Sequence, residues 1–383
     1  YWAHPPIYMP ENCNLEDVEH IKNFVTIPVV AAGRIDPLVG ARAIKENKLD
    51  AVGFARPFLA DGAWVSKLME GKEKEIRPCI CCHNGCFNMC HYKGVANDQD
   101  LSDALHMARC AVNAETMQTN KHYIKPAKKS KTVAIIGGGI GGMEAARVLK
   151  LRGHNPIIYE KSDKLGGIFI PASRASFKGK LRDLLSWYEL QMKELNIPIK
   201  FNTEVKDLSS IQADKYIIAT GSKPIMPHIK GIEKGIEACE YLLGKDVKDN
   251  VCVIGGGLTG CEIAYELYLS GKKPIIIEMK DDLIKQKGIC MANSQYLRDY
   301  FALHKIPVYL ETTLIEIKDN EIICKDKNDK EFNVPCDNVI LSIGYKSNPI
   351  FKKNNKVTFI GDCNKVGNLR TVIWEAYEAS MKI

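Results

Sequence analysis

The sequence predicts an α/β protein in three parts. The tail of a (β/α)8 barrel comes first, a cysteine-rich segment follows, and two Rossmann-like nucleotide-binding units complete the chain, the second inserted into the first. Three observations carry this expectation. A strand–glycine turn–helix pattern is written twice, 118 residues apart, at Gly137 and Gly255. Five cysteines crowd into residues 79–90. Ahead of them, short apolar runs alternate with helical patterns over residues 1–76. With 383 residues, 45% of them hydrophobic, the chain is long enough to bury several cores. The expected boundaries are 1–76 for the barrel tail, 77–130 for the cysteine segment and linker, 131–245 for the first unit, 246–338 for the second, and 339–383 for the return to the first.

In the first part, Leu15, Val18, Ile21 and Val25 mark the apolar face of a helix, and Ile27–Gly33 is an apolar run closed by glycine. A helical stretch from Pro37 to Asn47, a short strand at Ala51–Ala55 and a helix at Trp64–Glu70 follow. Apolar strands alternating with helices are the mark of a buried parallel sheet. Two such units cannot close a barrel, so this is either a small open sheet or the end of a larger one. Both strands finish in a small residue followed by arginine, Gly33-Arg34 and Ala55-Arg56. Small residues let backbone approach a phosphate, and a guanidinium forks onto its oxygens. A plain turn with a surface ion pair has the same pattern, and the residues alone leave both readings standing.

Cys79, Cys82 and Cys86 have a tight three-thiolate spacing. Thiolates are soft ligands that iron–sulfur clusters and zinc both accept. The fourth ligand is Cys90 or Cys110, and the metal is iron or zinc; composition decides neither. The other cysteines of the chain's 14 are mostly scattered singly, Cys252 and Cys324 inside apolar strands, which is unlike a disulfide framework. A reducing cytoplasm is the expected compartment.

The nucleotide units are the most specific signal. Gly137, Gly139 and Gly142 follow an apolar strand and open a helix, and Glu160 ends the next strand. Gly255, Gly257, Gly260 and Glu278 repeat that arrangement, and the same 118-residue shift lays Glu144 on Glu262, Gly153 on Gly271 and Leu165 on Leu283. The first glycine permits the tight turn, the second admits a diphosphate, and the third lets helix pack on strand. The helix N-terminus stabilises the anion, and the carboxylate accepts hydrogen bonds from ribose hydroxyls. Glu278 repels a 2′-phosphate and Lys280 compensates weakly, so NADH is expected over NADPH in the second unit.

Residues 27–35 (IPVVAAGRI), 49–62 (LDAVGFARPFLADG) and 76–86 (IRPCICCHNGC) resemble the end of the FMN barrel in the iron–sulfur branch of the old yellow enzyme superfamily, the branch of 2,4-dienoyl-CoA reductase, enoate reductase and trimethylamine dehydrogenase. The resemblance runs on to the C-terminus. It implies that Gly33, Arg34, Ala55 and Arg56 hold an FMN phosphate. It also implies that Cys79, Cys82, Cys86 and Cys110 hold a [4Fe-4S] cluster, with Cys81 and Cys90 as spare thiols. The sequence departs from that family in having Ala114 where a proline is usual and an insertion over residues 87–109, part of it, Leu101–Arg109, with a helical pattern. Gly166-Gly167, Ala219-Thr220-Gly221 and Gly361-Asp362 resemble the FAD-side motifs of flavoproteins with two dinucleotide sites, which assigns FAD to the first unit and the nicotinamide nucleotide to the second. The family's catalytic Tyr and His lie on earlier strands and find no match here, His4 being an ordinary loop histidine; the chain reads as a fragment.

The function this implies is an oxidoreductase passing electrons from NADH through FAD, a [4Fe-4S] cluster and FMN to an activated C=C bond of a small unsaturated substrate. The runner-up is an electron-donor subunit resembling the small subunit of glutamate synthase, against which the arginine-tipped strands argue. A zinc-braced nucleotide sensor is the non-enzymatic alternative. The formal charge of +7, part of it in the linker at Lys125, Lys128, Lys129 and Lys131, and the lack of an aromatic-interleaved basic patch argue against nucleic acid. No apolar run reaches membrane-spanning length. Substrate identity and oligomeric state, a homo-oligomer included, are not encoded in any pattern found.

Overall fold

The structure is a computed structural model that describes residues 4–90, 108–118, 122–286, 288–352 and 354–383. The fold is α/β throughout. Two five-stranded parallel sheets dominate it; four strands follow the same order in both, while the fifth, at one edge, comes last in the chain in the first unit and first in the second. In the first unit the strands lie as Val357–Phe359, Lys215–Ile218, Thr132–Ile136, Asn155–Tyr159 and Ile199–Lys200. In the second they lie as Ile236–Glu237, Asn338–Leu341, Asn250–Ile254, Lys273–Ile277 and Val308–Tyr309. Their central strands are rich in Ile and Val because both faces are covered. The first unit's helix Ile140–Leu151 packs against the C-terminal helix Leu369–Met381 and against Gly179–Glu194. The helices that follow the glycine turns end alike, at Gly153 (φ 89°) and Gly271 (φ 81°), where the left-handed backbone favours glycine.

A three-stranded antiparallel sheet, Thr313–Ile317, Glu321–Lys325 and Glu331–Pro335, covers one face of the second sheet. The chain crosses between the units through a two-stranded antiparallel ribbon, Ser222–Pro224 against Tyr345–Ser347. The N-terminal part holds the parallel pair Val30–Ala32 and Ala51–Gly53, joined by helix Pro37–Lys45. That helix starts where its sequence says it must: Asp36 accepts hydrogen bonds from the Leu38 and Val39 N–H groups at 2.9 and 3.1 Å, with proline in the first turn. The first helix is shorter than its apolar spacing suggested, ending at Lys22 before Val25. The Leu101–Arg109 pattern falls mostly outside the described residues. No helix among the described residues is long and apolar enough to cross a membrane.

One buried junction ties the N-terminal part to both nucleotide units. Glu262, on the second unit's helix Leu258–Leu269, accepts from the Tyr8 hydroxyl at 2.9 Å and from Lys178 Nζ at 2.6 Å. Tyr8 belongs to the N-terminal part and Lys178 to the first unit. The rings of Tyr8, Phe177, Tyr265 and Tyr296 enclose the pair, with centroids 5.2–5.6 Å from Tyr8. Burial, and then the Glu262 carboxylate, push the Tyr8 phenol well above its ordinary value, so it stays a donor.

Removing Glu262 strands a buried ammonium. Glu262→Ala is expected to cost about 3 kcal/mol and Tyr8→Phe about 1 kcal/mol, with urea unfolding as the measurement. Equal midpoints for Glu262→Ala and the unsubstituted protein would show the junction to be dispensable.

Candidate nucleotide cradles and cysteine cavity

Each nucleotide motif is built by backbone contacts that exclude a side chain. A Cβ on Gly142 would lie 2.0 Å from the Gly137 carbonyl oxygen, and one on Gly260 1.9 Å from that of Gly255. Gly137 (φ 110°) and Gly255 (φ 106°) turn the strand into the helix, each pressed against a neighbouring carbonyl, Ala219 in the first unit and Ser342 in the second. Gly139 has no atom nearer than 3.9 Å to where its Cβ would stand, so its face is open to a ligand.

The acids are fixed the same way in both copies. Glu160 Oε2 accepts from the Gly138 N–H at 2.7 Å and Oε1 from the Ser162 N–H and hydroxyl, each at 2.8 Å. Glu278 Oε2 accepts from the Gly256 N–H at 2.6 Å and Oε1 from the Lys280 N–H at 2.8 Å. Carboxylates held by two backbone or hydroxyl donors keep one orientation beside the turn. Gly166 and Gly167, both at positive φ, fold back on the first turn, with the Gly166 N–H on the Gly138 carbonyl at 2.9 Å. Ala219 ends the neighbouring strand, its N–H on the Ile136 carbonyl at 2.8 Å, and the space around the Gly221 Cα is clear. Gly361 and Asp362 precede the helix Leu369–Met381; Asp362 accepts from the Gly367 N–H at 3.1 Å and the Ser222 hydroxyl at 3.4 Å. Burial raises the Asp362 pKa from its ordinary value.

Cys79, Cys82, Cys86 and Cys110 line one cavity, together with Arg56, Leu59, Ile80, His83, Gly85, Ala111 and Val112. Gly85 explains how Cys110 reaches the other three. The Arg109 N–H bonds the Gly85 carbonyl at 2.6 Å, and a Cβ on Gly85 would lie 2.7 Å from the Ala111 nitrogen. The spacing of the cysteines did not single out this glycine, although a glycine beside ligands is the signal that marks close backbone approach. Neighbours hold the segment from three sides. Trp374 Nε1 donates to the Cys110 carbonyl at 3.0 Å, Asn113 to the Ala60 carbonyl at 3.1 Å, and Asn293 to the Cys82 carbonyl at 3.2 Å. Cys81 (φ 53°) and His83 (φ 54°) sit in the left-handed region, and Cys81 turns away into the second unit's core. The side chain of Cys90 lies outside the described residues.

Burial pushes the Cys110 thiol up to about 11 and raises Cys82 further. Thiols so placed ionise only when a cation compensates them, as a bound metal does. Among the described residues, no group of three or more His, Cys, Asp or Glu side chains is placed to hold a metal ion. The four thiols are soft donors, and a set of four around one cavity is chemistry that fits a cluster.

The two arginines meet partners that their strand-end pattern did not foretell. Arg34 Nη1 donates to the Pro6 carbonyl at 2.6 Å and to the Met9 carbonyl, while its buried Nε has no partner. That orphaned donor suits an anionic oxygen. Arg56 donates to His83 Nε2 at 2.8 Å, and His83 Nδ1 lies 3.1 Å from the Cys81 carbonyl. Burial and then Arg56 lower the His83 pKa to about 3, so its ring is neutral. The His4 ring lies against Phe87, with centroids 4.0 Å apart and planes tilted by 35°.

Residues 131–367 match the family model described as pyridine nucleotide-disulphide oxidoreductase, and residues 1–75 match that of the NADH:flavin oxidoreductase / NADH oxidase family. The chain belongs to the old yellow enzyme superfamily, in the branch that carries both modules. Cinnamate reductase of Clostridium sporogenes is 35% identical over 100% of this chain and 57% of the relative. NADH oxidase of Thermoanaerobacter brockii is 32% identical over 95% of this chain and 57% of its own. The structure of 2-naphthoyl-CoA reductase with 2-naphthoyl-CoA superimposes with a TM-score of 0.85 at 26% identity, covering 99% of this chain and 57% of that one. This member of the superfamily thus spans a little over half the length of those relatives.

Sterics separate two kinds of glycine in it. Gly142→Ala and Gly260→Ala should each destabilise the protein by about 3 kcal/mol or more, measured by urea unfolding. Gly139→Ala should leave the midpoint in place, because nothing stands where its methyl would go.

Proposed function

We propose that this chain belongs to an NADH-dependent oxidoreductase that reduces a C=C bond conjugated to a carbonyl or carboxylate, with electrons passing from NADH through FAD and a [4Fe-4S] cluster to FMN. The observation that carries the reading is the placement of four thiols around one cavity whose wall also includes Arg56 of the N-terminal part. Relatives named for the reduction of cinnamate and 2-naphthoyl-CoA support the substrate class. The domains proposed are those expected above: 1–76, 77–130, 131–245, 246–338 and 339–383.

The cofactors supply hydride and single-electron chemistry, and the protein supplies position and electrostatics. Gly137, Gly139 and Gly142 would cradle the FAD diphosphate at the N-terminus of helix Ile140–Leu151, with Glu160 on the ribose. Gly167, Ala219, Gly221, Gly361 and Asp362 would line the remainder of that site. Gly255, Gly257, Gly260 and Glu278 would hold NADH. Cys79, Cys82, Cys86 and Cys110 would hold the cluster, and the backbone at Gly33 and Ala55 with Arg34 and Arg56 the FMN phosphate. Trp374, bonded to the Cys110 carbonyl, ties the cluster wall to the helix behind the FAD site. A cytoplasmic enzyme acting on a small unsaturated molecule is the corresponding setting.

The full-length protein, purified without oxygen, is expected to yield one FMN, one FAD and about four irons. Iron-free protein, or absence of FMN with the whole barrel present, overturns the relay. Cys110→Ser should lose iron while Cys90→Ser keeps it; the reverse result moves the fourth ligand to Cys90. Glu278→Gln should shrink the binding preference for NADH over NADPH by roughly tenfold, since it removes the charge facing a 2′-phosphate.

A further inference from the structure

The two nucleotide cradles differ above the second glycine of each turn. Gly139 and Gly257 are equivalent in the internal repeat, each the glycine whose bare Cα admits a diphosphate. The face of Gly139 is clear to 3.9 Å, but a Cβ on Gly257 would lie 2.3 Å from Gln286 Nε2. A side-chain amide therefore rests on the second cradle where the first is open.

The loops that cause the difference are themselves repeats of one another. Gly166 in the first unit and Ile284 in the second stand 118 residues apart, and each donates its N–H to the glycine turn, at 2.9 Å to Gly138 and 2.8 Å to Gly256. The first loop takes its positive φ with glycines, Gly166 at 111° and Gly167 at 52°. The second takes it with a β-branched residue, Ile284 at 51°, a conformation that costs strain. Leu283 and Ile284, buried in the second unit's core, hold the strained turn in place. Two residues on, Gln286 is solvent-exposed and reaches back over Gly257. The obstructing atom is the far end of a flexible side chain, unlike the backbone carbonyls that close on Gly255 and Gly260. It can be swung aside.

We infer that Gln286 is a removable lid on the diphosphate cradle of the second unit, and that it sets how readily the nucleotide there exchanges. The inference rests on the reading of the second unit as the NADH site. A prosthetic nucleotide is best held in an open, glycine-lined cradle. A nucleotide that must leave after each turnover gains from a weaker hold applied equally to its reduced and oxidised forms, because uniform tightening does not speed chemistry and retards release. Displacing Gln286 imposes that equal penalty on both.

The test is equilibrium binding to the flavin-loaded full-length enzyme, using ADP-ribose, which has the diphosphate and no redox activity, and adenosine, which lacks the diphosphate. Gln286→Ala should bind ADP-ribose roughly fivefold more tightly with adenosine unchanged. Gln286→Glu, placing a negative charge over the same cradle, should weaken ADP-ribose roughly tenfold, again sparing adenosine. If Gln286→Ala binds ADP-ribose equally or more weakly, the lid is wrong and the NADH reading survives. If the unsubstituted enzyme does not bind ADP-ribose at all, both fall together.

Discussion

Glu262 is one carboxylate shared by two other parts of the chain. Tyr8 donates to one of its oxygens and Lys178 to the other, so the N-terminal part, the first unit and the second unit meet at a single buried group. An ion pair so enclosed stabilises little relative to an apolar replacement, but losing one partner is costly. Its effect is therefore on geometry. The ribbon at Ser222–Pro224 and Tyr345–Ser347 is a narrow connection, and a unit attached by it alone would be free to turn. Glu262, reinforced by Ser176 on Glu266 at 2.7 Å, removes that freedom. The cysteine segment, which contacts all three parts, needs them fixed.

The corresponding residue of the first unit shows how a repeated fold diverges. Glu144 occupies the same place on its helix, yet it pairs with Arg147 at 2.8 and 2.9 Å and with Tyr188 at 3.3 Å, all within its own unit. One copy of the glutamate closes a core and the other closes an interface. Both are almost wholly removed from water, and both are satisfied by a cation and a phenol.

Legibility in the sequence follows the range of the interaction. The glycine turns can be recognised from spacing because their requirement is local: Gly142 answers to Gly137 and Gly260 to Gly255, each five residues away. Glu160 and Glu278 are legible for a similar reason, since the strand that bears each one lies beside the turn. The α/β class followed from those runs alone. By contrast, the partners of Arg34 are Pro6 and Met9, and that of Arg56 is His83, none of them implied by a strand-end pattern. Glu262 was visible as a repeated residue, but its partners 254 and 84 positions away were not. The placement of Cys110 depends on Gly85, a contact that spacing cannot express.

That contact has a consequence for how the segment tolerates change. With Gly85 pressed against the backbone at Cys110, the two ends of residues 87–109 are pinned together by the fold. The entropy of closing a loop grows only with the logarithm of its length once its ends are fixed. Cysteine geometry and insertion length are thereby uncoupled. The Gly85 contact, rather than the number of residues between Cys86 and Cys110, keeps the four thiols in their places around the cavity.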